Sequence, residues 1–347
     1  MQRRGYLGKM ATPSDRDVFR RAIRIAKEKG AIVTTHDMPD ADGLGSAFCI
    51  QKHLRSEGAQ ADVAVGQKTA ITERFVSELK MDIRNWKDIS TEDRRPLIIV
   101  DTNSPALLSC SAIRKNPQLL VIDHHKLMPP LLKPRFMINN EAAISACEIV
   151  ASLIPKERID STAALALAIG IAGDSERLNF AEIRTLSIFE SLLAISKAPK
   201  KTIDALAYPP WKSDMVVAVL EEMKHLHTET YLGRVIAVAS SRLEQPSILA
   251  TVLRDLNVNI IAVLNEIGNG WYKISFRVDL KEAHENGIHA NEIAVKISKA
   301  FGMPKKLVGG GHIDKAGAMV RGAYQDIVSQ IIKTTKEALD RAERVAF

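Results

Sequence analysis

The chain has 347 residues, 46% hydrophobic and 26% charged, which is the composition of an ordinary globular protein with room for about two domains. No stretch approaches the roughly 20 uninterrupted apolar residues of a membrane span, and the basic segment 1–9 lacks the apolar core of a secretion signal. Cys49, Cys110 and Cys147 are scattered without a CxxC pair, which argues against a disulfide framework or a zinc ribbon and for a reducing, cytoplasmic setting, while 48 Lys and Arg against 41 Asp and Glu (formal charge +7) suit an anionic substrate, nucleic acid among the candidates.

In chain order, Ser14 reads as the cap of a helix over 14–29 that Gly30 closes. The apolar run 31–35 leads into His36, with Asp40 and Asp42 just beyond, and 43–57 reads as the helix that follows. A short strand is expected at 61–65. The run 97–100 ends at Asp101, and the run 119–122 ends at Asp123-His124-His125. Helices are expected over 144–153, 162–171 and 184–196. Short continuous apolar runs rich in β-branched residues predict a parallel sheet with helices on both faces, an α/β fold. The segment 197–211 combines basic residues with Pro209-Pro210 and predicts a boundary. The expected organisation is a first domain over 14–208, a connecting segment over 209–230 that carries a helix at 213–226, and a smaller α/β domain with a mixed sheet over 231–347. Its strands are expected at 234–239, 260–265 and 272–278, with a hairpin turn at Gly268-Asn269-Gly270 and helices at 291–300 and 324–344.

Ligands of parallel sheets bind outside the carboxyl ends of the strands, so three strands delivering His and Asp to one edge read as a single polynuclear metal site. Taken alone, Asp40 and Asp42 are better explained by a helix cap in a solvated loop, and the flanking strand and the other segments reverse that balance. Asp101 alone is equally a strand-end turn residue, although a central strand is where a carboxylate bridging two ions would sit. Asp174 follows the small-residue run 163–173, and alone it is a helix-end residue. The triplet at 123–125 is harder to explain blandly, because burying an Asp and two His without partners costs several kcal/mol. Mixed Asp/His ligation suits Mn²⁺, with Mg²⁺ or Co²⁺ as weaker candidates. Two such ions about 3.5–4 Å apart activate a bridging water and stabilise attacking and leaving oxygens, the machinery of phosphoester hydrolysis. Further along, Gly309, Gly310 and Gly311 allow backbone amides to close on a phosphate, and His312 can donate to it; an incidental flexible loop is the plainer alternative. Arg277, at a strand end, can pair with another phosphate or be a surface arginine. An aromatic content of 5% does not indicate a long single-strand groove.

The segments HDMPDADG at 36–43, LIIVD ending at Asp101, VIDHH at 121–125, GD at 173–174 and GGGH at 309–312 together resemble the DHH phosphoesterase superfamily with its associated C-terminal domain, over nearly the whole chain. The resemblance implies an active site in the cleft between the domains, with two ions, usually manganese. One ion would be held by His36, Asp40 and Asp101 and the other by Asp42, Asp101, His124 and Asp174, with Asp101 bridging. Asp101, Asp123 and His125 would form the catalytic set. In it His125 faces the scissile phosphate, Asp123 orients the histidine pair, and a hydroxide between the ions is the nucleophile. Arg277, Gly309, Gly310, Gly311 and His312 would bind substrate phosphate. The implied activity is phosphodiester hydrolysis of short RNA or DNA oligonucleotides or dinucleotides, as in the RecJ-like and nanoRNase branch, with no membrane partner and a homodimer as an option. A 3′-phosphoadenosine 5′-phosphate phosphatase or a cyclic-dinucleotide phosphodiesterase would use the same residues. A nucleotide sensor or nucleic-acid-binding subunit is the non-enzyme alternative, and its sign would be missing ligands; here every ligand position is filled.

Overall fold

The computed structural model describes residues 11–108, 116–127, 129–208, 211–243, 246–304, 309–311 and 313–345. Helix α1 (Pro13–Lys29) begins before the expected Ser14 because Thr12 and Asp15 form a reciprocal capping box. The Thr12 hydroxyl accepts from the Asp15 amide at 3.0 Å, and the Asp15 carboxylate accepts from the Thr12 amide at 2.9 Å. Pro13 takes the first helical position, where its missing N–H costs nothing. Gly30, at φ 71°, turns the chain into β1 (Ala31–Thr34). There follow α2 (Ala41–Ser56), β2 (Ala61–Val65), α3 (Ala70–Leu79), β3 (Ile83–Asn85), β4 (Leu97–Val100), β5 (Gln118–Asp123) and β6 (Phe136–Asn139), and then α4 (Ala146–Leu153), α5 (Ser161–Asp174), α6 (Ile183–Ser196) and α7 (Lys200–Ala207).

Strands β1 to β6 form one parallel sheet in the order β3-β2-β1-β4-β5-β6. The chain winds outward from β1 on one side and from β4 on the other. Beyond their carboxyl ends, a crevice therefore opens where the winding reverses. On one face Val33, Val63, Ile98, Val100, Leu120 and Ile122 pack with Phe19 of α1, Leu44 and Ile50 of α2, and Leu167 of α5. Helices were also expected over the opposite face. Among the described residues, that face buries Ile32, Ala64, Leu97, Ile99 and Val121 beneath Leu108, Leu132, Trp86 and Ile89 of the connections.

The second compact unit begins at Trp211. It contains α8 (Ser213–Met223), β7 (His227–Tyr231), β8 (Arg234–Ser241), α9 (Ser247–Asp255), β9 (Ile260–Gly268), β10 (Trp271–Val278), α10 (Leu280–His284), α11 (Ala290–Ala300), β11 (Gly310–Gly311), β12 (Lys315–Arg321) and α12 (Tyr324–Val345). Its sheet runs β11-β12-β10-β9-β8-β7 and is mixed, with β8 and β9 parallel and the other pairs antiparallel. The turn expected at 268–270 joins β9 to β10, and Asn269 (φ 52°) and Gly270 (φ 73°) supply the two positive-φ positions of a two-residue hairpin loop. The helix expected as a connector is α8. It buries Val219, with Met215 and Met223, against Ala237, Ala239, Ile261 and Val263, so it is part of the second unit's core. Helices α11 and α12 cover the other face through Ile293, Ile297, Ile327, Ile331 and Leu339. Among the described residues no helix is long and apolar enough to cross a membrane.

Helices α2 and α5 approach closely because small residues meet at their contact. A Cβ on Gly45 would stand 2.6 Å from the Ala166 carbonyl oxygen. One on Gly170 would stand 2.4 Å from Cys147 Sγ, 3.0 Å from the Ala41 oxygen and 3.1 Å from Asp42 Cα. Part of what Gly170 meets is backbone, which cannot swing aside. Gly170→Ala is therefore expected to lower stability by about 1–3 kcal/mol, the range for overpacked cores. Urea unfolding checks this, and an unchanged midpoint would show that α2 and α4 can move away from α5 at no cost.

Candidate metal centre

The site grows out of the strand ends that flank the reversal. His36 lies just past β1, and Asp40 is the N-cap of α2. Asp40 Oδ1 accepts from the amides of Asp42 and Gly43, both at 3.0 Å, and Oδ2 stands 3.8 Å from His36 Nε2. The capping role and a ligand role are thus compatible, since each uses a different oxygen of one carboxylate. Asp101 follows β4 with a left-handed backbone (φ 59°), a conformation Asp tolerates better than most residues, and it is 3% exposed. Its two oxygens face different histidines. Oδ2 lies 3.4 Å from His36 Nε2, and Oδ1 lies 3.4 Å from His124 Nε2.

Asp42 is fully buried, and its oxygens accept from the Ala146 amide at 2.6 Å and the Cys147 amide at 2.8 Å. These amides open α4, so the carboxylate sits at a helix N-terminus, where anions are favoured. Burial and the neighbouring Asp101 charge nonetheless push it up to about 7. Asp174 ends α5, where the helix dipole disfavours a carboxylate. The Tyr208 hydroxyl donates to the last carbonyls there, those of Ala172 and Gly173. Burial and the charges of Asp42, Asp40 and Asp101 raise Asp174 well above the ordinary carboxylate range.

His124 Nε2 lies 3.4 Å from Asp174 Oδ2 and 3.8 Å from Asp42 Oδ2, and it is buried without a hydrogen-bond partner. Burial works against protonation of His36 and His124, but the carboxylates around each outweigh it and push both up to about 10. Asp123 is fully buried in a different role. It accepts from the His124 amide at 2.9 Å, the His125 amide at 3.3 Å, His125 Nδ1 at 2.8 Å and Asn103 Nδ2 at 2.5 Å. Burial alone would raise it, but the His125 ring, charge and amide hold it below its ordinary value. The His125 carbonyl accepts from Asn103 Nδ2 at 3.4 Å and Asn139 Nδ2 at 3.2 Å.

The sequence reading missed the supporting groups. Nothing local marks Asn103, Asn139 or the 146–147 amides as parts of the site. Such partners lack a motif of their own.

Among the described residues, three groups have ligand atoms within 4.8 Å of one another: His36, Asp40 and Asp101; Asp42, His124 and Asp174; and Asp101, Asp123, His124 and His125. These residues fit divalent cations. The orphaned His124 nitrogen needs a partner, and the gathered carboxylates need positive charge. The donors are oxygens and imidazoles without a thiolate, since the nearby Cys147 thiol is pushed well up by burial and Asp42.

In the second unit, Arg277 lies on β10 directly across from Lys315 of β12. Gly310 and Gly311 pair with Gly317 and Ala316 of that same strand. A Cβ on Gly309 would stand 2.7 Å from the Gly317 oxygen, and one on Gly311 (φ 142°) 2.5 Å from the Lys315 oxygen, whereas Gly310 faces open space. His312 lies outside the described residues.

The comparisons follow this division. Residues 31–171 match the DHH family, N-terminal domain, and residues 236–341 match the DHHA1 domain. Over 178 residues the chain is 29% identical to the cyclic-di-AMP phosphodiesterase GdpP of Geobacillus thermodenitrificans; the match covers 46% of this chain and only 27% of that protein's length. An exopolyphosphatase-related protein from Bacteroides fragilis shares the fold with a TM-score of 0.76 at 18% identity, over 96% of this chain and 99% of that one. RecJ in complex with Mn²⁺ from Thermus thermophilus gives a TM-score of 0.50 at 14% identity, over 96% of this chain and 56% of that one. With one matched segment carrying the parallel sheet and its His/Asp cluster and the other the mixed sheet, the chain belongs to the DHH family, a DHH domain followed by a DHHA1 domain.

Proposed function

We propose that the protein is a Mn²⁺-dependent phosphodiesterase that hydrolyses short oligonucleotides or dinucleotides at a two-ion centre. The observation that carries this reading is the pair of Asp101 oxygens, each 3.4 Å from a different histidine, which lets one carboxylate belong to two sites. His36, Asp40 and Asp101 would hold one ion, and Asp42, Asp101, His124 and Asp174 the other. When bound, the ions supply positive charge to phosphoryl oxygens and lower the pKa of nearby water.

The chain's own residues orient and hold protons. Asp123 is ionised and acceptor-only, so His125 Nδ1 carries the hydrogen between them. That leaves His125 Nε2 as the outward end of a half-exposed ring, placed to hold a proton against a phosphoryl or leaving oxygen. Asn103 and Asn139 keep the His125 backbone in place. In the second unit, Arg277 stands directly across from Lys315, and the two cations together would meet one substrate anion. The open space beside Gly310 would admit the terminal phosphate of a short substrate. The partial match to a cyclic-di-AMP phosphodiesterase brings cyclic dinucleotides into the same substrate class.

Asp101→Asn keeps a residue that tolerates left-handed backbone while removing the charge. It is expected to bind fewer Mn²⁺ ions per chain and to lose hydrolysis of linear and cyclic dinucleotides and of 5′-labelled RNA and DNA ladders. Full turnover by this variant would refute the shared-carboxylate reading. His125→Ala should retain its Mn²⁺ content while kcat falls by about a hundredfold or more, the worth of a positioned proton-transfer group; unchanged kcat would remove His125 from the mechanism.

Proton linkage gives a third expectation. His36 and His124 (about 10) and Asp42 (about 7) hold protons at neutral pH in the ion-free site and must release them to ligate. Mn²⁺ affinity should therefore rise with pH between 6 and 8, roughly an interval around the Asp42 value. Calorimetry at pH 7 in two buffers of different ionisation heat checks this, and identical apparent binding heats would contradict the proton release.

A further inference from the structure

The sheet of the second unit leaves part of one face open over β10 and β12. The register sets Arg277 across from Lys315, Ser275 across from Gly317 and Lys273 across from Met319. Side chains alternate along a strand, so these positions share one face. The residues between them, among them Ile274, Phe276, Ala318 and Val320, are buried on the other face beneath α11 and α12. On the first face, α8 and α9 cover β8 and β9 through Ala237, Ala239, Ile261 and Val263. Further out, Lys273, Lys315, Gly317 and Arg321 are exposed. We infer that this open face binds the backbone of a single-stranded oligonucleotide longer than a dinucleotide. The inference rests on the reading above in one respect, that Arg277 and Lys315 receive a substrate phosphate.

Charge carries the inference. Lys273, Lys315 and Arg321 join Arg277 on this face, and neither β10 nor β12 contains an acidic residue. Asp279, the next residue of that parity, accepts from the Lys281 and Glu282 amides as the N-cap of α10. Among the described residues Lys273 and Lys315 make no ion pair, and Arg321 uses only Nε, which donates to the Asn269 carbonyl at 3.3 Å. From residue 271 to residue 277 the strand runs roughly 20 Å, so charge of one sign is spread along a length that a chain of phosphates can follow. The floor between Lys273 and Arg277 is low. Ser275 is small, and Gly317 and its β11 partner Gly310 have no side chain. Packing does not require these glycines. A Cβ on Gly310 would meet nothing within 4 Å, and one on Gly317 only the Ile274 oxygen at 3.6 Å. Glycine inside a strand often marks the close approach of a ligand. At the far end Trp271 stands half-buried across from Arg321, and an indole offers a base a stacking surface that a plain phosphate chain does not use.

Fluorescence anisotropy of labelled single strands against the full chain tests this face, in EDTA so that nothing is cut. Strands of about twelve nucleotides should bind the parent at least roughly tenfold more tightly than a dinucleotide. A Lys273→Gln/Arg321→Gln variant changes two exposed positions, and thermal melting reports that it is folded. It should bind the strand roughly tenfold more weakly, and the slope of log affinity against log salt should flatten by about 1.4, the share of two phosphate contacts on a single strand. Trp271→Leu should weaken the oligonucleotide and leave the binding of inorganic polyphosphate unchanged. Mn²⁺-dependent dinucleotide hydrolysis by the double variant should match the parent. A parent that hydrolyses no dinucleotide would count against the phosphodiesterase reading and leave this binding test intact. An unchanged salt slope in the folded double variant would place the strand elsewhere. Polyphosphate bound as tightly as an oligonucleotide of similar charge, or a long strand bound no more tightly than a dinucleotide, would overturn the surface.

Discussion

The first unit depends on holding like charges together. Asp40, Asp42, Asp101 and Asp174 converge around two imidazoles, with ligand atoms inside each group within 4.8 Å. Two carboxylates about 4 Å apart repel by on the order of 4 kcal/mol at an effective dielectric near 20, and burial adds to the cost. The fold bears this by giving each carboxylate a separate support. Asp40 caps α2, Asp42 takes the first amides of α4, and Asp101 faces a histidine on either side. Asp174 has the poorest local support, at a helix C-terminus, and its pKa is raised well above the ordinary range. Bound cations would relieve all four at once, which is why the proposed chemistry and the stability of this region are linked.

Much of the surrounding architecture serves that convergence. The winding reversal between β1 and β4 opens the crevice, and the neighbouring β5 delivers His124 to the same edge. Glycines at 45 and 170 bring α2 and α5 close enough for the start of α2 and the end of α5 to supply opposite sides of one group. Asp123 acts one layer back. It fixes His125 through Nδ1 and is itself fixed by Asn103. Within the second unit taken by itself, β12 pairs with the strands that carry Arg277, Gly310 and Gly311, so these residues and Lys315 lie on neighbouring strands.

The parts of the fold that could be read in advance are those where burial writes a pattern. Continuous apolar runs at 31–35, 97–100 and 119–122 mark strands covered on both faces. Other elements carry no such signal. Strand β3 is three residues at the sheet edge, and β7 (His227–Tyr231) is an edge strand with mostly exposed side chains, so neither shows an apolar run. The start of α1 at Pro13 was missed because Ser14 and Thr12 are both good caps, and only the reciprocal Thr12–Asp15 bonds separate them. The helix α8 looked like a linker because its apolar stripe is short, with Val216, Val217 and Leu220 left exposed.

The sequence by itself determined the inventory of donors and their positions at strand and helix ends, since residue type and hydrophobic period are local properties. Tertiary structure decided which oxygen of each carboxylate faces which neighbour. Asp42 is held by amides 104 and 105 positions away, Asp123 by an asparagine 20 positions back, and Arg277 is set against Lys315 by strand register. Those pairings are made by packing between distant segments, and a hydrogen bond's direction exists only once both partners have been brought to one place.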